Sequence, residues 1–281
     1  MKKLNLEIIN NKNTLWLHAS NQSQKKGVIV YIHGFGSTLY MHNEFALANE
    51  FTNYDYYAVN LLGHEIYETH DEPEYYDINT YVDQIVNEIV KNNFFDVILM
   101  GHSMGGGICM LTYMKLASRI KKVILVDAIN PSIYKSTIGI KYLYNVINNE
   151  QNEIKEMETN PNRLNLANDV KFEINEFLDY ELKRFLVKKN KYLLLGAKLI
   201  SPMLYIKLDK AYKSVTVPTL FLCGENDPVI PAKATKKYFE TMDNHYIQFQ
   251  IIPNTKHIPF IEAFDEYNKK VWDFINDESN K

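Results

Sequence analysis

The chain has 281 residues, 46% of them hydrophobic, and a formal net charge of only −3, enough to bury one large core or a core plus a smaller appended one. Its lysines fall as scattered pairs (Lys25 and Lys26, Lys121 and Lys122, Lys188 and Lys189, Lys236 and Lys237) with no basic stripe to track a phosphate backbone, so nucleic acid is not an expected partner. No run approaches the roughly 18 apolar residues of a membrane span, so no integral membrane segment is expected.

The opening "MKKLNLEIINNKN" starts with two lysines, but polar residues break it before a signal-peptide core can form. Its "LNLEII" and the following "TLWLHA", joined by "NNKN", read as a hairpin. Strands are then expected at 28–32, 56–60, 96–100, 122–127, 219–223 and 246–252. Helices are expected near 42–52, 78–92, 104–117, 232–242 and 262–276. In the second helix Ile78, Tyr81, Val82, Ile85, Ile89 and Val90 recur at helical spacing, and Asp77 stands where an N-cap belongs. Such alternation predicts a mostly parallel sheet of eight strands with helices on both faces. From about Pro131 to Lys213 the alternation stops and only helical segments appear. Some eighty residues are too many for a loop. They predict a helical cap at 131–213, inserted after the sixth strand, between core segments 1–130 and 214–281. Cys109 and Cys223 lie inside apolar runs at no metal-ligand spacing, which predicts buried free thiols; a reducing, cytoplasmic location is the matching expectation.

One stretch spends glycine heavily. "ILMGHSMGGGICM" holds four of the chain's 11 glycines within seven residues. A strand-like run precedes it and a helix-like run follows, so Gly101, Ser103 and Gly105 fall on a strand-to-helix corner. This G-x-S-x-G pattern is a nucleophile elbow, in which a strained turn lifts a serine hydroxyl clear of the sheet. A serine needs a base, and the base needs a carboxylate to hold its tautomer. His257, in "IIPNTKHIPF" after the last strand, is the best placed histidine, and Asp227, in "LFLCGENDPVIP" after the strand before, supplies the carboxylate. Asp127, which ends the strand after the elbow helix, is a second candidate for that acid.

Four motifs in order, "HGFG" (33–36), "GHSMGG" (101–106), "GENDPVIP" (224–231) and "TKHIPF" (255–260), make the sequence resemble the α/β-hydrolase superfamily, in its capped serine-hydrolase branch of carboxylesterases and monoacylglycerol-lipase-like enzymes. The resemblance implies an α/β-hydrolase fold with Ser103 as nucleophile, His257 as base and Asp227 as acid. It places the oxyanion hole at the backbone amides of Phe35 and Met104. Some relatives take the acid from the position of Asp127; Asp227 is preferred because "GENDPVIP" matches the usual acid turn. The chain departs from the family after its fourth strand. There it reads "NLLGHEIYE", with Asn60, Leu61, Glu65 and Tyr67 in place of a common Asp-Arg-x-Gly-His-Gly-x-Ser run. His64 keeps the Gly-His pair and is expected to pack and hydrogen-bond there. His33 and His102 should hold the turns beside them, and His18, His42, His70 and His245 carry no signal.

A serine at the elbow selects acyl transfer, whereas relatives that open epoxides or carbon–halogen bonds place an aspartate there. No metal or organic cofactor is called for, and no Walker or dinucleotide glycine pattern is present. The expected activity is hydrolysis of a small-molecule ester with an apolar acyl group, the pocket being lined in part by cap aromatics such as Tyr134, Phe172 and Tyr192. Thioesterase, aminopeptidase, carbon–carbon bond hydrolase and non-catalytic ligand receptor are the alternatives.

Overall fold

The computed structural model describes residues 6–11, 14–19, 26–48, 54–59, 61–62, 64, 77–135 and 208–278. Eight strands form one sheet: β1 (Leu6–Asn11), β2 (Thr14–Ala19), β3 (Gly27–Ile32), β4 (Tyr54–Val59), β5 (Val97–His102), β6 (Ile120–Val126), β7 (Thr219–Gly224) and β8 (Ile247–Ile252). Their spatial order is β1-β2-β4-β3-β5-β6-β7-β8. The opening hairpin is antiparallel, as is the pairing of β2 with β4; every later pairing is parallel.

The central strands are apolar at successive positions because both faces are covered. Val28, Val30, Ile32, Leu99, Val123, Leu125 and Phe221 point to one face. Ile29, Tyr31, Met100, Ile124, Val126, Leu220 and Leu222 point to the other. The first face is covered by α2 (Ile78–Lys91), α3 (Met104–Leu116), α4 (Leu208–Ser214) and α5 (Ala232–Glu240). The second packs against α1 (Asn43–Ala48), α6 (Pro259–Glu262) and α7 (Phe264–Asn276). Helix α2 starts where the sequence places it, with the Asp77 carboxylate accepting from the Thr80 amide at 2.9 Å. Its Ile78, Tyr81, Val82, Ile85 and Ile89 are buried as their spacing requires, whereas Val90, expected on the same face, is exposed beside the end of the stripe.

Three details differ from the sequence reading. Strand β5 runs two residues past the expected end, because Gly101 and His102 still pair with Leu125 and Val126 of β6. The last expected helix, 262–276, is two: Pro259 opens a single turn, and Ala263 at φ −146° and ψ 61° breaks it before α7. Lys122, which the sequence shows only as one of the scattered lysine pairs, has a structural role. Its ammonium is buried and donates to the carbonyls of Phe274 (2.7 Å), Ile275 (3.0 Å) and Asp277 (2.8 Å), closing the C-terminus of α7.

Both cysteines are buried and free. Among the described residues no helix is long and apolar enough to cross a membrane. Most of the expected cap, residues 136–207, lies outside the described residues. The described pieces at its two ends join the core: Ile133 is buried in the first core cluster, Ser132 Oγ lies 3.1 Å from Thr235 Oγ1, and Tyr212 donates to the Ile129 carbonyl at 2.8 Å.

The start of α3 comes so close to β3 that a β-carbon on Gly105 would collide with the backbone oxygens of Ile32 and His33. Neither obstacle is a flexible side-chain end, so the helix itself would have to move. Gly105→Ala should cost on the order of 2–4 kcal/mol and lower the Tm by roughly 5–15 °C in a calorimetric or fluorescence melt. An unchanged Tm would show that the contact relaxes freely.

Candidate active site

The parallel strands end in a row of turns, and the sequence-selected residues stand on them. Ser103 follows β5 directly, with φ 52° and ψ −119°, a conformation that costs a non-glycine residue on the order of 1–3 kcal/mol. The surroundings hold it there. Its N–H donates to the Val126 carbonyl at 2.9 Å, and its own carbonyl accepts from Gly106 at 3.1 Å and from Ile129 at 3.0 Å. The chain is thereby still in the sheet at Ser103 N and already in a helix at Met104.

His257 stands on the loop after β8. Its Nε2 lies 3.0 Å from Ser103 Oγ, and its Nδ1 lies 2.7 Å from Asp227 Oδ2. Asp227 Oδ1 accepts from the backbone amides of Val229 (2.7 Å) and Ile230 (3.0 Å), so the turn that presents this carboxylate also satisfies it. Burial alone would raise the Asp227 pKa, but the net direction is downward. His257, by charge and by hydrogen bond, then Asp127 and the Ile230 amide, outweigh the burial. Ser103 is 8% exposed and the His257 side chain 22%, while the Asp227 side chain is fully covered. The acid end of the series is therefore closed to solvent, and access is through His257 and Ser103.

The expected oxyanion-hole amides lie beside the serine. Met104 opens α3, where first-turn amides have no intrahelical acceptor. Phe35 follows Gly34, and a β-carbon on Gly34 would stand 3.2 Å from Ser103 Cβ, so the "HGFG" loop runs along the elbow. His33 supports that loop: its Nε2 accepts from the Leu61 amide at 3.1 Å, and its Nδ1 donates to the Gly34 carbonyl at 2.8 Å. His64 is buried, with Nδ1 3.2 Å from the Leu62 carbonyl and its ring against His33 and Phe35.

His102 does more than hold its own turn. Its Nε2 donates to the His257 carbonyl at 2.7 Å, and its ring lies 4.8 Å from the His257 ring. Burial, then the neighbouring His257, push its pKa down to about 3, so it stays neutral beside any charge formed on His257. Gly224 is needed in the same region because a β-carbon there would collide with the Lys256 carbonyl of the His257 loop. His42 carries no sequence signal, yet it is buried with Nδ1 2.9 Å from Tyr56 Oη and Nε2 2.7 Å from Tyr267 Oη. Those partners come from β4 and α7, so no local pattern could have announced them. His18 and His70 have no described side chain. His245 stacks on Tyr246, at 4.2 Å between ring centroids.

The model of the alpha/beta hydrolase family matches residues 29–270. The chain belongs to that family. "Putative esterase/lipase 2" of Mycoplasma genitalium is 27% identical over 277 residues, covering 96% of this chain and 97% of that one. Among solved structures, the esterase EaEST from Exiguobacterium antarcticum superposes with a TM-score of 0.74 at 17% identity, covering 97% of this chain and 98% of that one. The esterase RhEst1 from Rhodococcus sp. ECU1013 gives 0.71 at 18%, covering 98% of each. The chain is thus a hydrolase of this family, and its candidate site is the row of turns at the carboxyl ends of β5 to β8, where open parallel sheets place their ligands.

The neutral, buried His102 sets a pH dependence of stability. Its folded pKa of about 3 lies below the ordinary 6.5, so its contribution is fully present above pH 6.5 and is lost as pH falls from 6.5 toward 3. His102→Gln has no ring to titrate and can still reach the His257 carbonyl. Relative to wild type it should gain on the order of 2–3 kcal/mol between about pH 7 and pH 4, read as a Tm difference that moves in its favour. A difference that stays flat over that range would refute the buried neutral ring.

Proposed function

We propose that the protein is a serine esterase that cleaves carboxylic esters of small to medium apolar acyl groups through an acyl-enzyme on Ser103. The observation that carries this reading is the continuous series Ser103 Oγ, His257 Nε2 and Nδ1, Asp227 Oδ2, with steps of 3.0 and 2.7 Å. Neutral His257 takes the proton from Ser103 Oγ as that oxygen attacks the ester carbonyl. The resulting imidazolium is balanced by Asp227 and returns the proton to the departing alcohol. Water, activated by the same ring, then releases the acid and regenerates Ser103.

The Met104 and Phe35 amides are the donors for the negative oxygen of the tetrahedral intermediate, and the N-terminus of α3 adds its positive end. The esterase and lipase names of the relatives support the choice of ester over other acyl derivatives. Residues 131–213, inserted where β6 ends, are the helical cap over this crevice in the same reading, and their aromatic side chains provide the apolar acyl pocket.

Ser103→Ala should lower kcat by on the order of 10⁴- to 10⁶-fold while the protein still folds. A fluorophosphonate should add to the peptide that contains Ser103. An adduct on another serine, or none on a protein that turns over esters, would reject the assignment.

Acyl length tests the pocket. Each buried methylene is worth roughly 0.8 kcal/mol, so kcat/KM should rise by about an order of magnitude from p-nitrophenyl acetate to butyrate and level off for long chains. Equal values for acetate, butyrate and octanoate would discard the apolar acyl pocket. Faster turnover of the matching thioester or amide would move the assignment to one of those substrates.

A further inference from the structure

One buried acid is left over by this chemistry. Asp127 directly follows β6 with φ 42° and is 0% exposed. Its N–H donates to the Leu222 carbonyl at 2.9 Å, which continues the ladder with β7. Its Oδ1 accepts from the Gly224 amide at 2.8 Å. Its Oδ2 is fully covered and receives no hydrogen bond from any described donor. One carboxyl oxygen of Asp127, one of Asp227 and a ring nitrogen of His257 all lie within 4.8 Å of one another.

Two carboxyl groups at that separation, both dry, do not both ionise. The donors around them say which one does. Asp227 accepts from two backbone amides and from His257, whereas Asp127 accepts from one amide and has beside it only the weakly donating Cys223 thiol. A covered carboxyl oxygen with no strong donor beside it, facing a carboxylate, is where a proton sits. We propose that Asp127 is a positioning residue, held as the neutral acid, whose Oδ2–H donates to the Asp227 carboxylate and so fixes the acid that orients His257. Asp127, Asp227, His257 and Ser103 then form one hydrogen-bonded series with a single negative charge, on Asp227. The consequence for rate rests on the esterase reading above; the position of the proton does not.

The groups that face Asp127 agree with this. They are the Gly224 amide and Cys223 thiol of β7, Asp227 in the turn after it, His257 on the loop after β8, and Tyr267 of α7. None is a fixed cation. Burial and then the charge on Asp227 push the Asp127 carboxyl well above 3.8, against smaller pulls from the Gly224 amide and the Cys223 thiol. Asp227 moves the opposite way.

Asp127→Asn tests the proposal, because an amide in that place keeps both bonds: its oxygen accepts from Gly224 and its N–H donates to Asp227. Three readouts apply. In the infrared, wild type at neutral pH should show the carbonyl stretch of a protonated carboxylic acid that Asp127→Asn lacks; no such difference band overturns the proposal. In thermal melts, the raised folded pKa means that wild type loses stability as pH rises above about 4, where the unfolded acid ionises and the folded one does not. The Tm difference should therefore move in favour of Asp127→Asn between about pH 4 and pH 7, and a flat difference overturns the proposal. Neither readout depends on a substrate, so both decide the matter even if the esterase reading fails.

In kinetics, Asp127→Asn should cost less than about tenfold in kcat and leave the midpoint of the acidic limb of kcat/KM in place. Asp127→Ala, which removes the donor, should cost roughly 10- to 100-fold, a loss that the amide variant rescues. Removal of an ionised carboxylate this close to the imidazole would instead drop that midpoint by about 2 units, and that outcome would place the charge on Asp127.

Discussion

Everything at the site depends on one strained residue, Ser103, held between a sheet and a helix. Its positive φ turns the chain through a corner sharp enough for the hydroxyl to stand clear of β5. Hydrogen bonds on both sides of the corner over-determine it: Val126 accepts from its N–H, and Gly106 and Ile129 donate to its carbonyl. The glycines around it follow from the same geometry. With α3 starting against the ends of β3 and β6, there is no space for side chains at Gly105, which meets Ile32 and His33, or at Gly106, which meets Ala128. Asp127 repeats the device one strand over, with φ 42° and its N–H still bonded to β7.

Around that corner the protein places titratable groups so that few of them carry charge. His102 is kept neutral by burial, Asp227 is kept ionised by two amides and His257, and His42 is pinned between two tyrosine hydroxyls with its pKa held well below the ordinary value by burial and by His102. A charge that appears on His257 therefore meets one countercharge and no competing cation among these neighbours. The scaffold behind them is fixed by a further buried polar contact. Lys122, reaching from β6, satisfies three carbonyls at the end of α7, the helix that supplies Tyr267 to His42.

Much of this was legible from local patterns. Short continuous apolar runs marked β3 to β8, helical spacing and Asp77 marked α2, and clustered glycines marked the elbow, because in each case the physical cause lies within a few residues of the signal. Ser103, Asp227 and His257 were legible because each stands on the turn or loop that follows a strand, and in a parallel sheet all such connections leave from the same end. The places where the reading missed are long-range. Lys122 reads only as one of a scattered lysine pair until α7 comes to rest on it. His42 has partners 14 and 225 residues away. The break at Ala263 lies inside a run whose composition suits a helix throughout.

The sequence by itself determined the parallel sheet, the elbow, and the order serine, aspartate, histidine, since these rest on local conformational preference and on where strands end. Only the tertiary structure shows which of the two aspartates meets the His257 ring. Both follow strands, and the turn motif that favours Asp227 says nothing of the contacts it makes. Their difference is the number of backbone amides that folding brings to each carboxyl group, two to Asp227 and one to Asp127, together with the side of His257 that the loop after β8 presents to them. The charge of a buried acid is set by its donors, and donors that come from other strands exist only once the chain has folded.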